Sequence, residues 1–527
     1  MSTDNAGPVP ASETAQPVGL IIGAVAVVLL LASLGQTIVS TALPTIVGEL
    51  GGLDHLTWVV TAYLLSSTVV APIYGKLGDL YGRKIVLHLA ISIFLVGSVV
   101  AGLAGDMLTL IIARVVQGLG GGGLMVVAMT VVADVVAPRD RGKIQGIFGG
   151  VFGISTIVGP LLGGFFVENL SWHWIFFVNL PLGLLALGVI AVVFRLKPKR
   201  VAHKVDYMGA VLLTGALSAL VLFTSLGGAT LPWGSPTIIA LIVLTIAFLV
   251  GFVFVESRAA EPILPLSLFR DNTFLVTNSV GFIVGLAMFG SITFLPLYLQ
   301  TVQGISPTAS GLSLLPMMLG LVGTSILSGQ VLSRTGRYKI LPILATAMLT
   351  GGMLLLSTLS IDTDPLLVAL YMFVVGVGIG PVMSVGVTAT QNAVPRAMLG
   401  VATAGATMFR QIGGSIGVSV FGVIFSAGLA ARLGNLLPTG SSHSAFSSAA
   451  LAALSEALRQ QVLVAFTEAL HPVFITAATL SVLAFGLTFL LNEIPLATSL
   501  RKEPEADLRA EEAAAASAVG GVTIATR

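Results

Sequence analysis

Residues 75–87 read GKLGDLYGRKIVL, and residues 329–341 read GQVLSRTGRYKIL. Each stretch is a short cationic turn wedged between two long apolar runs. Both carry Gly at the first position, Gly-Arg at the eighth and ninth, and Leu at the last. Their first residues, Gly75 and Gly329, lie 254 positions apart. A turn that recurs at this distance between apolar runs points to a duplicated, membrane-embedded chain.

Composition agrees. Of 527 residues, 55% are hydrophobic and 9% charged, and mean hydropathy is +1.02. Soluble domains carry roughly a quarter charged residues, so a polytopic membrane protein is expected. A net charge of +2 gives no basis for nucleic-acid binding. The chain has no cysteine, which excludes disulfides, thiol nucleophiles and Cys-based metal sites. Its six histidines show no metal-ligand spacing, and no nucleophile–base constellation appears, so neither an enzyme nor a bound cofactor is expected. No GxxxxGK[ST] string occurs.

About twenty apolar residues cross a bilayer. Fourteen such runs occur, at about 19–42, 56–75, 85–104, 108–134, 144–167, 174–195, 207–227, 236–256, 273–300, 308–331, 340–360, 366–389, 400–429 and 472–492. With the N-terminus inside, 21 of the 25 Lys and Arg fall on the cytoplasmic side, as the positive-inside rule requires. The segment 1–18 has no basic n-region of a signal peptide and reads as a disordered cytoplasmic tail. The segment 493–527 reads as a second one. The outer loop 430–471 is Ser- and Ala-rich. Its stretch SEALRQQVLVAFTEAL reads either as an interfacial amphipathic helix or as one helix in a surface loop.

Three strings carry candidate chemistry. In the 75–87 turn, Gly75 permits close helix approach. Asp79 is placed to accept hydrogen bonds from a neighbouring helix N-terminus and to pair with a base. Gly82, Arg83 and Lys84 follow, matched by Gly336 and Arg337 in the second copy. In RVVQGLGGGGLM, Arg114 is an arginine deep in an apolar helix, functional by default, with Gln117 one turn on. It is either a coupling residue or an arginine satisfied by carbonyl groups. In GISTIVGPLLGG, Pro160 removes a backbone donor, and Gly153, Gly159, Gly163 and Gly164 offer a smooth packing face.

These strings resemble the signature motifs of the major facilitator superfamily: G-x-L-x-D-x-x-G-R-[KR], R-x-x-Q-G and G-x-x-x-G-P-x-x-G-G. With LGQTIVSTALPTI at 34–46, WHWIFFVNLPLG at 172–183 and TATQNAVPRAMLGVATAGATMFRQIGGSIGV at 388–418, the chain resembles the superfamily's fourteen-helix drug:H⁺ antiporters over about 20–430. The resemblance implies an all-α fold of fourteen transmembrane helices arranged 6+2+6. The bundles would span 19–195 and 272–492, joined by two linker helices within 196–271. It further implies gating by the 75–87 turn, proton coupling through Arg114 and Gln117, and export through the Gly-Pro motif.

One departure stands out. The family's first-helix motif usually reads L-D-x-T-I-V, whereas here Gly35 replaces the acid. Asp134, beside the basic turn at 139–143, is then the candidate proton carrier, or else a solvated helix-end carboxylate. Gln36, Tyr63, Tyr298, Gln391, Asn392 and Arg410 are candidate cavity residues near membrane depth. Arg410 would favour an anionic ligand or bind helix carbonyls. Asp206 reads as an N-cap.

The expected function is proton-coupled export of lipophilic drugs or amphiphiles by alternating access. The partners are the small lipophilic substrate, protons and the lipid bilayer, and the unit is a monomer in a bacterial inner membrane with both termini cytoplasmic. The alternatives are a facilitator or importer of the same fold, an exporter of a specific lipid or siderophore-like metabolite, and a transport-dead sensor.

Overall fold

Single residues set where the helices of this chain begin. Asp106, Asp206, Ser235, Asp271, Ser306 and Asp364 each accept a backbone N–H of the first turn that follows. Proline opens four helices at positions where its missing N–H costs nothing, at Pro138, Pro236, Pro307 and Pro365.

The computed structural model describes residues 18–50, 56–193, 206–228, 231–259, 261–433 and 455–496. The first part holds α1 (Val18–Thr37), α2 (Val39–Leu50), α3 (Leu56–Tyr81), α4 (Arg83–Gly102), α5 (Met107–Val135), α6 (Pro138–Asn169), α7 (Trp174–Phe177) and α8 (Asn179–Val193). Next come α9 (Tyr207–Leu226) and α10 (Pro236–Glu256). The last part holds α11 (Asn272–Thr301), α12 (Pro307–Leu312), α13 (Leu315–Thr335), α14 (Ile340–Leu356), α15 (Pro365–Ala393), α16 (Leu399–Leu433) and α17 (Glu456–Phe489). Among the described residues thirteen helical segments are long and apolar enough to cross a membrane, and the 17-residue α14 is a shorter fourteenth. The expected all-α fold with fourteen spans is therefore found.

Two expectations need correction. The first span runs on to Leu50, broken only at Ile38. Thr37 bends it there: its hydroxyl donates back to Ser33 O and across to Ser155 O of α6. The segment 456–471 is helical, as its spacing predicts, but is not separate from the last span. It is the first half of α17, which passes through Pro472 unbroken. Arg432 Nε meets Glu468 Oε2 at 3.1 Å, and His471 Nε2 lies 2.6 Å from Leu359 O, tying this half to its neighbours. The remaining Ser-rich segment 434–454, both tails and the basic loop 194–205 lie outside the described residues.

Apolar packing sorts the helices. Two cores lie wholly between Ile21 and Ile190. Another lies between Val276 and Leu496, around Tyr298, Phe421, Phe466 and Phe474. A fourth joins Val69 of α3, Leu213 and Leu217 of α9, Phe252 of α10, and Phe274 and Met408 of α11 and α16. The pair α9–α10 thus lies along a seam where α3 meets α16. A second seam joins α6 to α13. Both depend on glycine: a Cβ on Gly400 would stand 2.3 Å from Gly75 O, and one on Gly329 would stand 2.3 Å from Gly142 O.

Candidate functional site

Arg83 at the start of α4, Arg139 and Arg141 at the start of α6, Arg334 at the end of α13 and Arg396 just before α16 form a basic end. There Asp79 crosses the first seam. Its Oδ1 accepts from Gly400 N at 3.0 Å and its Oδ2 from Val401 N at 3.1 Å. These are orphan donors at the start of α16, where the helix dipole favours an anion. Arg83 Nη2 donates to Asp79 Oδ1 at 2.8 Å, and Arg83 Nη1 is ion-paired with Asp134 Oδ1. Gly82, at φ 89°, makes the tight corner that returns Arg83 onto Asp79. Lys84 Nζ donates to Ala191 O at 2.8 Å. Asp134 takes Arg83 as its direct ion-pair partner, and Arg141 of the basic turn at 139–143 adds the expected electrostatic attraction. Arg141 itself donates to Ala133 O and Val136 O, closing the C-terminal end of α5.

The second turn is built with the polarity reversed. Ser333 stands where the first copy has Asp79. Its hydroxyl donates to Asp140 Oδ1 of α6 at 2.5 Å. Arg139 of α6 donates to Ser333 O and Arg334 O at the end of α13. Gly336 ends α13 in the left-handed region at φ 69°. Arg337 is exposed, unlike Arg83.

Arg114 is fully buried in α5. Its Nε donates to Val59 O at 3.0 Å, and its Nη1 to Gly35 O at 2.9 Å and to Gln117 Oε1 at 2.5 Å. The guanidinium lies 4.3 Å from the centre of the Tyr63 ring. Gln117 passes the network on to Ser98 Oγ at 2.7 Å. No carboxylate enters, and a carbonyl oxygen of Gly35 takes the charge where the resemblance leads one to expect an acid. Glu49, from the same span, instead accepts from the indole N–H of buried Trp172 at 2.7 Å.

In the Gly-Pro segment of α6, Gly153, Gly159 and Gly163 have the expected close contacts. A Cβ on each would stand 2.7 Å from Val322 Cγ2, 2.2 Å from Thr37 Oγ1 and 2.2 Å from Thr41 Oγ1 respectively. Gly164 differs: a Cβ there would meet nothing within 4 Å. Pro160 lies inside α6, which continues through it. Gly159 and Gly163 therefore pack on the first span at its break, and Gly153 packs on α13.

Behind the basic end, a cleft lies between the two helix groups. Met125 and Met129 of α5 and Phe148 and Phe152 of α6 wall one side. Met288 and Phe289 of α11 and Met383 of α15 wall the other. Ser33, Gln36, Gln145, Arg410 and Gln411 supply its polarity. Such a mainly apolar pocket with a few polar groups is the usual form of a small-molecule site.

Residues 25–418 match the Major Facilitator Superfamily. The chain belongs to that superfamily. It is 44% identical over 469 residues to an uncharacterised MFS-type transporter of Mycobacterium tuberculosis, covering 89% of this chain and 68% of the relative. It is 40% identical over 420 residues to the multidrug transporter protein MdtP of Bacillus subtilis, covering 79% and 76%. Two solved structures share the fold. The human organic anion transporter MFSD10 has a TM-score of 0.61 at 16% identity, over 90% of this chain and 99% of that one. The proton:xylose symporter XylE has a TM-score of 0.59 at 14% identity, over 90% and 96%. The chain is a membrane transporter and not an enzyme.

In this superfamily member only Gln36 and Arg410 of the expected cavity residues line the cleft. Tyr63 supports Arg114 and donates to Ala32 O at 2.9 Å. Tyr298 donates to Ser360 O at 2.7 Å. Gln391 bonds Thr403 Oγ1 at 3.0 Å and Met129 O at 3.4 Å, and Asn392 bonds Ile494 O at 3.3 Å. Sequence reading overlooked Gln145, Ser33 and the methionines. Gln145 follows the basic turn at 139–143 and reads as a helix-start polar residue. Its spacing from Phe148, Gly149 and Phe152 was the available signal, since positions 3, 4 and 7 apart share a helix face.

Proposed function

We propose that this chain is a proton-coupled exporter of lipophilic amphiphiles, working by alternating access between the helix groups 19–195 and 272–492. The observation that carries the reading is the Asp79 carboxylate on the Gly400 and Val401 N–H groups, across a seam that closes one end of the cleft. That contact must break for the cleft to open at the basic end. The positive-inside rule supports a cytoplasmic position for this end, and the bacterial relatives support a bacterial inner membrane. The relatives named as multidrug transporters support the substrate class.

Proton coupling is assigned to the seam, because no carboxylate lines the cleft among the described residues. Arg83 is shared between Asp79 and Asp134. A proton on Asp134 releases one of its two counter-charges and changes the hold on Asp79. Arg114 and Gln117 couple by position only, through the fixed carbonyl of Gly35 in the first span.

The test is uptake of a lipophilic dye into inverted vesicles under an imposed pH gradient. Wild type should concentrate dye only with the gradient. Asp134→Asn should lose that accumulation yet keep dye exchange at equal pH. Transport indifferent to the gradient would make the chain a facilitator, the second reading that a carboxylate-free cleft favours.

A further inference from the structure

Two arginines sit at membrane depth in this chain, and they are treated differently. Arg114 is held by three oxygens, through its Nε and Nη1, and by an aromatic face. Arg410 is half-buried in α16 and lines the cleft. Among the described residues, no hydrogen bond or ion pair reaches its guanidinium. It is also the only charged side chain among the residues lining the cleft.

Its position is fixed from behind. A Cβ on Gly285 of α11 would stand 2.3 Å from Arg410 O, so the backbone at 410 is pressed against α11. Gly413 and Gly417 pack as closely on Phe282 and Leu286. The side chain also lines a smaller pocket beside Thr277 and Thr390, so the guanidinium stands between two spaces. A guanidinium cannot discharge by losing its proton. In surroundings of low dielectric it needs an anion or water.

The polar atoms around it are also unmatched. Ser33 Oγ, Gln145 Nε2 and Gln411 Oε1 are buried without a hydrogen-bond partner, and all three residues line this cleft. Native structures seldom leave such atoms unpaired. The walls are methionine and phenylalanine, adaptable and apolar. We propose that Arg410 anchors the oxyanion head of an amphiphile whose apolar body lies on these walls. The head is a carboxylate, sulfonate or phosphate, which a guanidinium fork holds through two parallel N–H···O bonds. This assignment deepens the exporter reading and rests on the cleft being its substrate site.

The experiment is equilibrium binding to the purified full chain in uncharged micelles, read by dansyl fluorescence. The probes are dansylaminoundecanoic acid, its methyl ester and the matching amine. Wild type should bind the acid at least about tenfold tighter than the ester, with the amine weakest. Arg410→Gln should lower acid affinity to that of the ester and leave ester affinity unchanged, which also reports an intact fold. Arg410→Lys should retain part of the preference. Equal binding of acid and ester by wild type, tightest binding of the amine, or full acid affinity in Arg410→Gln overturns the proposal. Should Arg410→Gln not fold, the wild-type ranking alone decides. Displacement by phosphatidylglycerol identifies the head as lipid, and displacement by decanoate alone as a free acid; both uphold the anchor. Acid binding at Arg410 without gradient-driven transport would sink the exporter reading and leave the anchor standing. Gradient-driven export of the amine alone would do the reverse.

Discussion

Asp79 and Ser333 occupy the same position in the two turn copies, yet one accepts across its seam and the other donates. Asp79 brings a charge to the N–H groups of Gly400 and Val401. Ser333 brings a hydroxyl to Asp140, and Arg139 holds the neighbouring carbonyls. Hydrogen bonds to charged groups contribute about 1.5–3 kcal/mol each. The first seam therefore depends on one residue, and the second spreads its hold over two.

Removing that residue should loosen the basic end. The chain has no native cysteine, so Thr403→Cys, buried beside the first seam, is a clean reporter. Adding Asp79→Asn should raise its maleimide labelling rate about tenfold. Adding Ser333→Ala should change it less than about threefold. Equal rates in both variants would show that the two seams are energetically alike.

Glycine at the first seam should be intolerant of any side chain. In Gly400→Ala the new methyl would meet Gly75 O at 2.3 Å and Asp79 Oδ1 at 2.6 Å, both on a packed helix. We expect transport to fall more than about tenfold, because overpacking of this kind costs about 1–3 kcal/mol. Gly164→Ala, in the segment that resembles the antiporter motif, meets open space and should transport as wild type. A dead Gly164→Ala alongside an active Gly400→Ala would invert this assignment.

Arg114 should resist conservative replacement. Lysine offers a single ammonium and cannot hold Val59 O, Gly35 O and Gln117 together in the plane of a guanidinium. Each buried group left unpaired costs about 1–3 kcal/mol. Arg114→Lys and Arg114→Ala should both lower the thermal midpoint in detergent by several degrees. An unchanged midpoint in Arg114→Lys would show that the network holds little of the fold.

Restoring an acid to the first span should depend on where its side chain points. A Cβ on Gly35 would stand 3.0 Å from Phe94 Cζ and 3.8 Å from the Tyr63 hydroxyl, beside Arg114 and out of the cleft. Gly35→Asp should therefore be neutralised by Arg114 and bring no gain for the dansyl amine. Gln36→Glu places its carboxylate in the cleft and should bind that amine about tenfold tighter. An amine gain in Gly35→Asp alone would show that residue 35 faces substrate.

Fourteen spans were legible because apolar runs and basic turns record the bilayer directly. The repeated turn located the seams for the same reason. The direct ion-pair partner of Asp134 was not legible: Arg83 lies 51 positions away, while Arg141, which also attracts Asp134, is near in sequence. Only folding α4 against α5 settles that competition. Tyr63, Tyr298 and Gln391 read as cavity residues because composition marks polarity at depth but not direction. Each turns out to satisfy a carbonyl or hydroxyl instead. Arg410 was visible as a charge, but its lack of a partner is a property of the packed helices.

The pair α9–α10 is attached at opposite ends to different bodies. Near the end of α9, Thr224 Oγ1 lies 2.7 Å from Ser415 Oγ, and Ser419 Oγ donates to Thr224 O. At the basic end, Glu261, just beyond α10, is ion-paired with Lys76 of α3 at 3.4 Å. Both links are partly buried: Ser415 and Ser419 are half-buried against Thr224, and the Lys76 and Glu261 side chains are 16% and 28% exposed. The linker therefore bridges the seam, bonded to α16 by one link and to α3 by the other. Excising it to leave twelve helices would not give a simpler transporter, because Ser415 and Ser419 would then face lipid acyl chains with their α9 partner gone.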